Sequence, residues 1–117
     1  MSQMITQMAS DYISMGETTE ERQSYLNSAC TVWNIAVLPE HQREEALLRY
    51  IEAYKSANPG IDDEDNLLHD ARILIRKKLE LFPTVKTVII SAHLENLEGN
   101  KYQITVASTD NPKQFIK

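Results

Sequence analysis

The sequence predicts a small α+β protein in which about four helices precede a C-terminal antiparallel β-hairpin packed against them. Apolar residues recur every three or four positions up to about residue 82, which is the period of a helix with one buried face. From residue 85 the period changes to two, as in a half-buried strand. The chain has 117 residues, 42% hydrophobic and 25% charged, which fits one ordinary globular domain.

An amphipathic N-terminal helix is predicted over residues 1–16, with Gly16 as its stop. We expect its apolar stripe to pack in the core. Because methionine also lines adaptable binding surfaces, contact with another protein is the alternative. The stripe consists of Met1, Met4, Ile5, Met8, Tyr12 and Met15.

A helical region is predicted over residues 18–82. Thr18 and Glu21 have the spacing of a capping box, in which each side chain binds a free backbone N–H at the start of a helix. The helix that follows runs to about Leu38 and is apolar over much of its circumference, so we expect it to lie at the centre of the molecule. The later boundaries of this region are Pro39, Asn58-Pro59-Gly60 and Pro83.

A β-hairpin is predicted over residues 85–108, with Leu97-Glu98-Gly99 as a three-residue loop and Gly99 in the left-handed conformation. Residues 110–117 form a polar tail apart from Phe115 and Ile116. The expected register pairs Leu94 with Tyr102, Ala92 with Ile104 and Ile90 with Val106 on the apolar face, and Glu95 with Lys101, His93 with Gln103 and Ser91 with Thr105 on the polar face.

Composition argues against several classes of protein. The net charge of −5 opposes binding to nucleic acid, which normally requires a basic surface. No apolar run approaches the roughly 20 residues of a transmembrane helix, and the first fifteen residues lack the pattern of a signal peptide. A single cysteine cannot form an intrachain disulfide, so we expect a cytoplasmic protein.

The residues that could bind a metal or cofactor do not have the required spacing. The acids at 62–65 are consecutive, whereas a calcium loop needs alternating ligands and a central glycine, so we interpret them as the start of a helix. The three histidines, His41, His69 and His93, fall on three different elements. Cys30 lies on the most apolar helix and is expected to be buried. We therefore predict no metal and no cofactor.

A basic group near the end of the fourth helix is the best local case for an anionic partner. Lysine and arginine at this position also complement the helix dipole, so we expect a solvated face, with a weak anion or phosphate patch as the alternative. The residues are Arg72, Arg76, Lys77 and Lys78.

The sequence is compatible with three functions. A non-enzymatic interaction protein, of the adaptor or inhibitor type, is favoured because no catalytic motif occurs. The alternatives are an anion or nucleic-acid binder through the basic helix face, and an enzyme or small-molecule binder with a pocket between the helices and the hairpin. The polar groups available for such a pocket are Tyr25, Tyr50, Tyr54, His69 and His93.

The hairpin also predicts self-association. An isolated two-stranded ribbon has two free edges, and exposed edges invite pairing with another chain. We therefore expect a homodimer or larger oligomer through the hairpin edge, chiefly that of the first strand, or through the N-terminal helix. The residues expected to contribute are Met4, Met8, Thr87, Ile89 and Phe115. The alternative is that the N-terminal helix or the tail covers the edge within one chain.

Overall fold

The computed structural model describes residues 1–60, 64–99 and 101–110. This part of the chain contains four helices followed by a two-stranded antiparallel hairpin, which confirms the predicted α+β order. The elements are α1 (Ser2–Ile13), α2 (Thr19–Val37), α3 (Glu40–Ala57), α4 (Glu64–Leu81), β1 (Val88–Asn96) and β2 (Tyr102–Thr109).

Helix α2 is the centre of the fold, as its wide apolar surface predicts. It contacts α1, α3, α4 and β1. Trp33 is fully buried, and its ring centroid lies 5.8 Å from that of Phe82, just beyond the end of α4. One apolar cluster extends from Ile5 and Met8 of α1 through α2 to Leu94 of β1.

The start of α2 is capped much as predicted. The Thr18 hydroxyl accepts a hydrogen bond from the Glu21 backbone N–H at 3.1 Å. The Glu21 carboxylate accepts from the Glu17 N–H at 2.7 Å, one residue earlier than a standard capping box would place this bond. Two donors that the helix itself cannot satisfy are therefore bonded by side chains.

The junction before α2 corrects the expected end of the first helix. Helix α1 ends at Ile13, three residues before the predicted stop at Gly16. The φ angle of Gly16 is not positive, whereas those of Gly60 and Gly99 are. A Cβ atom at Gly16 would lie 2.8 Å from the backbone nitrogen of Arg22, so glycine is required here because the chain passes too close for a side chain.

The hairpin register differs from the predicted one by two residues. Asn96 pairs with Tyr102, and Leu94 pairs with Ile104 instead of Tyr102. The loop is accordingly longer, with Gly99 at φ +74° as predicted and the Leu97 N–H bonded to the Lys101 carbonyl at 2.9 Å. A slip of two leaves each side chain on its predicted face, so periodicity cannot detect it.

A β-bulge interrupts β1 between Ile89 and Ser91. Ile90 was predicted on the apolar face, but it is the extra residue of the bulge and is 53% exposed. Ile89 was predicted on the polar face but is buried together with Val88. A bulge adds one residue to one strand and so reverses the alternation of faces beyond it.

Candidate interaction site

The outer edge of β1 is closed by side chains of α2. The Asn34 amide donates to the Ile89 carbonyl and accepts from the Ile89 N–H, both at 2.8 Å. The Gln23 amide donates to the Ala92 carbonyl at 3.1 Å and accepts from the Leu94 N–H at 2.8 Å. The two amides thus take the place of a neighbouring strand.

This arrangement depends on the bulge. The N–H and C=O groups of Ile89 face α2, and so do the Ala92 carbonyl and the Leu94 N–H. In a regular strand, only residues separated by an even number of positions direct their backbone groups to the same side, and Ile89 is separated from Ala92 and Leu94 by odd numbers. Without the extra residue at Ile90, a regular strand would turn one of the two sets away from α2. The bulge therefore lets a single helix bond to the edge of β1 at two places.

The expectation that β1 offers a bare edge for dimerisation is therefore wrong. Ile89 is 2% exposed, and the Thr87 carbonyl accepts a hydrogen bond of 2.8 Å from the Trp33 indole. The Thr87 hydroxyl is bonded to the Asp110 carboxylate. Sequence reasoning missed one available signal, since Gln23, Asn27 and Asn34 form a row of amides on one face of an otherwise apolar helix.

The outer edge of β2, by contrast, has no backbone partner for Ile104 or Val106 among residues 1–60, 64–99 and 101–110. In an antiparallel ladder, hydrogen-bonded residue pairs alternate with non-hydrogen-bonded pairs, whose backbone N–H and C=O groups point away from the partner strand. The β1 residues whose backbone groups face α2 belong to non-hydrogen-bonded pairs, so the backbone groups of their partners on β2 must point outward from the other edge. Ile89 pairs with Ser108, Ala92 with Val106 and Leu94 with Ile104. Tyr102, two residues before Ile104, continues the alternation.

At the start of β2, the Tyr102 hydroxyl is hydrogen-bonded to the Ser14 hydroxyl at 3.1 Å. Beside the edge lies a groove of about 290 Å³ between α1 and β2. Its floor includes Ile104, and its α1 side consists of uncharged polar residues, namely Ser2, Gln3, Thr6 and Gln7. The groove could therefore take side chains of a strand paired with β2.

The other expected oligomer contacts are placed differently. Met8 is fully buried in the core, which excludes its side chain from contact with another chain, and Met4 is half-buried. Met15 was predicted on the buried stripe but is 63% exposed, because it lies beyond the end of α1. Phe115 lies outside the described residues, as do the acids at 62 and 63.

The four basic residues considered as an alternative anion patch are not assembled as one surface. Arg72 forms an ion pair of 2.6 Å with Glu44 of α3, and Lys77 lies 3.8 Å from the Asp11 carboxylate of α1. Arg76 is exposed. Two of the basic side chains therefore face an acid of a neighbouring helix, which weakens their attraction for an external anion.

Lys78 does not belong to this basic surface, because its side chain is fully buried. Its ammonium group donates to the Phe82 carbonyl at 2.9 Å and to the Val85 carbonyl at 2.7 Å, and lies 5.2 Å from the centre of the Trp33 ring. Burial lowers the pKa of Lys78, and the charge of Lys86 lowers it further. Lys78 thus satisfies the carbonyls where α4 ends and is not available to a ligand.

The polar groups considered for a pocket do not converge on one site. The rings of Tyr50 and Tyr54 are tilted against each other with centroids 6.2 Å apart, while Tyr25 packs edge-on against Tyr12 at 4.9 Å. Burial raises the pKa of both Tyr12 and Tyr50, and an interaction with the Ser28 hydroxyl only partly opposes this shift. At neutral pH these phenols therefore stay protonated and are not available as bases.

A groove between α2 and β1 has a volume of about 600 Å³. It includes His93 and the exposed acid Glu20 but none of the tyrosines. A smaller groove beside it includes Cys30, whose thiol is buried as predicted. Burial raises the pKa of this thiol to about 12, which keeps it in the unreactive protonated form.

Among the described residues, no group of histidine, cysteine and acidic side chains could hold a metal ion. None of the helices described here is long and apolar enough to cross a membrane. Comparison with protein-family models, with curated proteins and with solved structures finds no match to this chain.

Proposed function

We propose that this chain is a non-enzymatic interaction protein that binds its partner by adding a strand to the outer edge of β2. The observation that carries the proposal is the contrast between the two edges of the hairpin. The edge of β1 is bonded to Gln23 and Asn34, whereas Ile104 and Val106 direct backbone groups outward from β2.

The composition of β2 supports the same proposal. Proteins usually protect an exposed edge with lysine, proline or a bulge. The segment Tyr102–Thr109 contains no charged residue and no proline, and the bulge of this hairpin lies in β1. Strand addition uses backbone hydrogen bonds for affinity and the alternate side chains for specificity.

A proline scan of β2 tests the proposal. Val106→Pro removes a donor from the outer edge, where proline is compatible with a strand, and Ser108→Pro does so near the strand end. We expect tagged wild-type protein to capture its partner from extract of the source cells, and both variants to lose it. An Arg72→Ala and Arg76→Ala double variant should retain the partner.

Denaturant titration of each proline variant, followed by the fluorescence of Trp33, whose indole bonds to the Thr87 carbonyl just before β1, tests whether the hairpin is still packed on the helices. The proposal is wrong if folded Val106→Pro and Ser108→Pro capture the same proteins as the wild type. It is also wrong if the wild type captures neither another protein nor an untagged copy of itself.

A further inference from the structure

We infer that the strand added to β2 is β2 of a second copy of this chain, so that two hairpins form one four-stranded antiparallel sheet. The inference rests on the proposed function and names its partner. It transfers the predicted self-association from β1, whose edge is closed, to β2.

The electrostatics of the edge favour a strand without charges. No lysine or acid occurs between Tyr102 and Thr109, and the four α1 residues along the adjacent groove are also uncharged. Strand β1 contains Glu95. Of the two strands of the described chain, β2 is therefore the better partner for this uncharged edge. Its pairing would neither bury a charge nor place like charges opposite each other.

The outward-facing residues determine the register. They are Tyr102, Ile104, Val106 and Ser108, and the two-fold pairing that uses all four is centred on Thr105. In that register Ile104 bonds with Val106 of the second copy, and Tyr102 bonds with its Ser108. Each such pair exchanges two backbone hydrogen bonds.

The side chains agree with this register. On the face covered by the helices, Ile104 meets an equally apolar Val106, and such cross-strand pairs stabilise a sheet. On the exposed face, Thr105 meets Thr105 of the second copy in a non-hydrogen-bonded pair, with Cα atoms about 4.5 Å apart. Closed two-fold symmetry also prevents further copies from adding to the same edge.

The pairing of Thr105 with itself provides a sharp test. We expect light scattering at micromolar concentration to give the wild type about twice the chain mass of 13.4 kDa. Thr105→Lys and Thr105→Glu should each give a single-chain mass, because like charges lie directly opposite. A mixture of the two should recover the doubled mass as a heterodimer, which also shows that both variants are folded.

Ser91→Lys is the matched control. Ser91 is also exposed but lies on β1, away from the new strand pair, so this variant should stay dimeric. A wild-type mass of one chain, a dimer unaffected by Thr105→Lys, or a failure of the mixture to recover would overturn the inference. A monomeric wild type whose captured partner is lost in Val106→Pro would leave the proposed function standing with a different occupant.

Discussion

The side chain of Asn34 forms two hydrogen bonds with one residue of β1, donating to the Ile89 carbonyl and accepting from the Ile89 N–H, each at 2.8 Å. An amide is suited to this role because it contains both a donor and an acceptor. A carboxylate of the same shape can only accept. Exchange of one for the other therefore tests whether α2 stabilises the edge.

Asn34→Asp should lower the free energy of unfolding by about 1–3 kcal/mol, because the Ile89 carbonyl loses its donor and faces a negative charge. Denaturant titration measures the change. Asn27→Asp is the control, because the Asn27 side chain accepts a hydrogen bond from Gln23 through its oxygen, which aspartate retains. The free energy of unfolding of this variant should differ from that of the wild type by less than about 0.5 kcal/mol. Equal stabilities of wild type and Asn34→Asp would show that the edge needs no cover.

The order of helices and strands could be predicted because the hydrophobic period changes once, near residue 85. The hydrogen bonding along the two edges of the hairpin could not be predicted, because the predicted register missed both the bulge at Ile90 and the longer loop. Those two features decide which backbone groups of β1 face α2 and, through pairing, which groups of β2 face outward. Asn34 and Ile89 lie 55 positions apart, and local periodicity carries no information about such a contact.

Lys78 was missed for a different reason. Lys78 follows Ala71 and Leu74 at helical spacing on the apolar face of α4, which predicts burial, whereas its charge predicts exposure, and the sequence does not show which prevails. The structure resolves the conflict through the Phe82 and Val85 carbonyls, which supply acceptors inside the core. A buried charge is tolerated where hydrogen bonds replace its lost hydration.

Trp33 should be the largest single contributor to the core. Trp33→Ala is expected to lower the free energy of unfolding by about 3–5 kcal/mol, because it leaves a cavity beside Phe82. Trp33→Phe should cost less, because it retains the ring and loses chiefly the bond to the Thr87 carbonyl. Leu48→Ala, at a 51% exposed position, is the control. An unchanged melting temperature for Trp33→Ala would contradict this core.

Lys78 should make stability depend on alkaline pH. Its folded pKa lies below the ordinary value of 10.5, so between those two values the unfolded chain binds more protons and stability rises with pH. The free energy of unfolding of the wild type, relative to Lys78→Met, should therefore increase toward pH 10.5. Burial raises the pKa of Tyr12 and Tyr50, which makes stability fall as the pH rises. Both proteins contain these tyrosines, so their contribution cancels in the difference between wild type and variant. Parallel pH curves for the two proteins would disprove the shift.

The ion pair between Arg72 and Glu44 should contribute little to stability despite its 2.6 Å distance. Both side chains are more than half exposed, at 53% and 64%, and exposed pairs are worth about 0–1 kcal/mol. A double-mutant cycle with Arg72→Ala and Glu44→Ala measures the coupling. A coupling of several kcal/mol would mean that α3 and α4 are held together by charge and not by their apolar contacts.

Gly16 should be intolerant of any side chain because of space, not because of its backbone conformation. In Gly16→Ala the new methyl group would meet the Arg22 backbone nitrogen at 2.8 Å and the Arg22 Cγ at 2.9 Å, so the start of α2 must move. We expect a loss of about 1–3 kcal/mol, as for other overpacked sites. Denaturant titration of Glu17→Ala, an exposed neighbour, provides the baseline.

The double variant with Arg22→Ala separates the two contacts at Gly16. Removing the Arg22 side chain relieves the contact with Cγ but leaves the one with the backbone nitrogen, and it also removes the guanidinium bond to the Gly16 carbonyl at 3.1 Å. Gly16→Ala should therefore remain destabilising when Arg22 is alanine. Full recovery in the double variant would show that only the flexible side chain, and not the path of the backbone, excludes a residue larger than glycine.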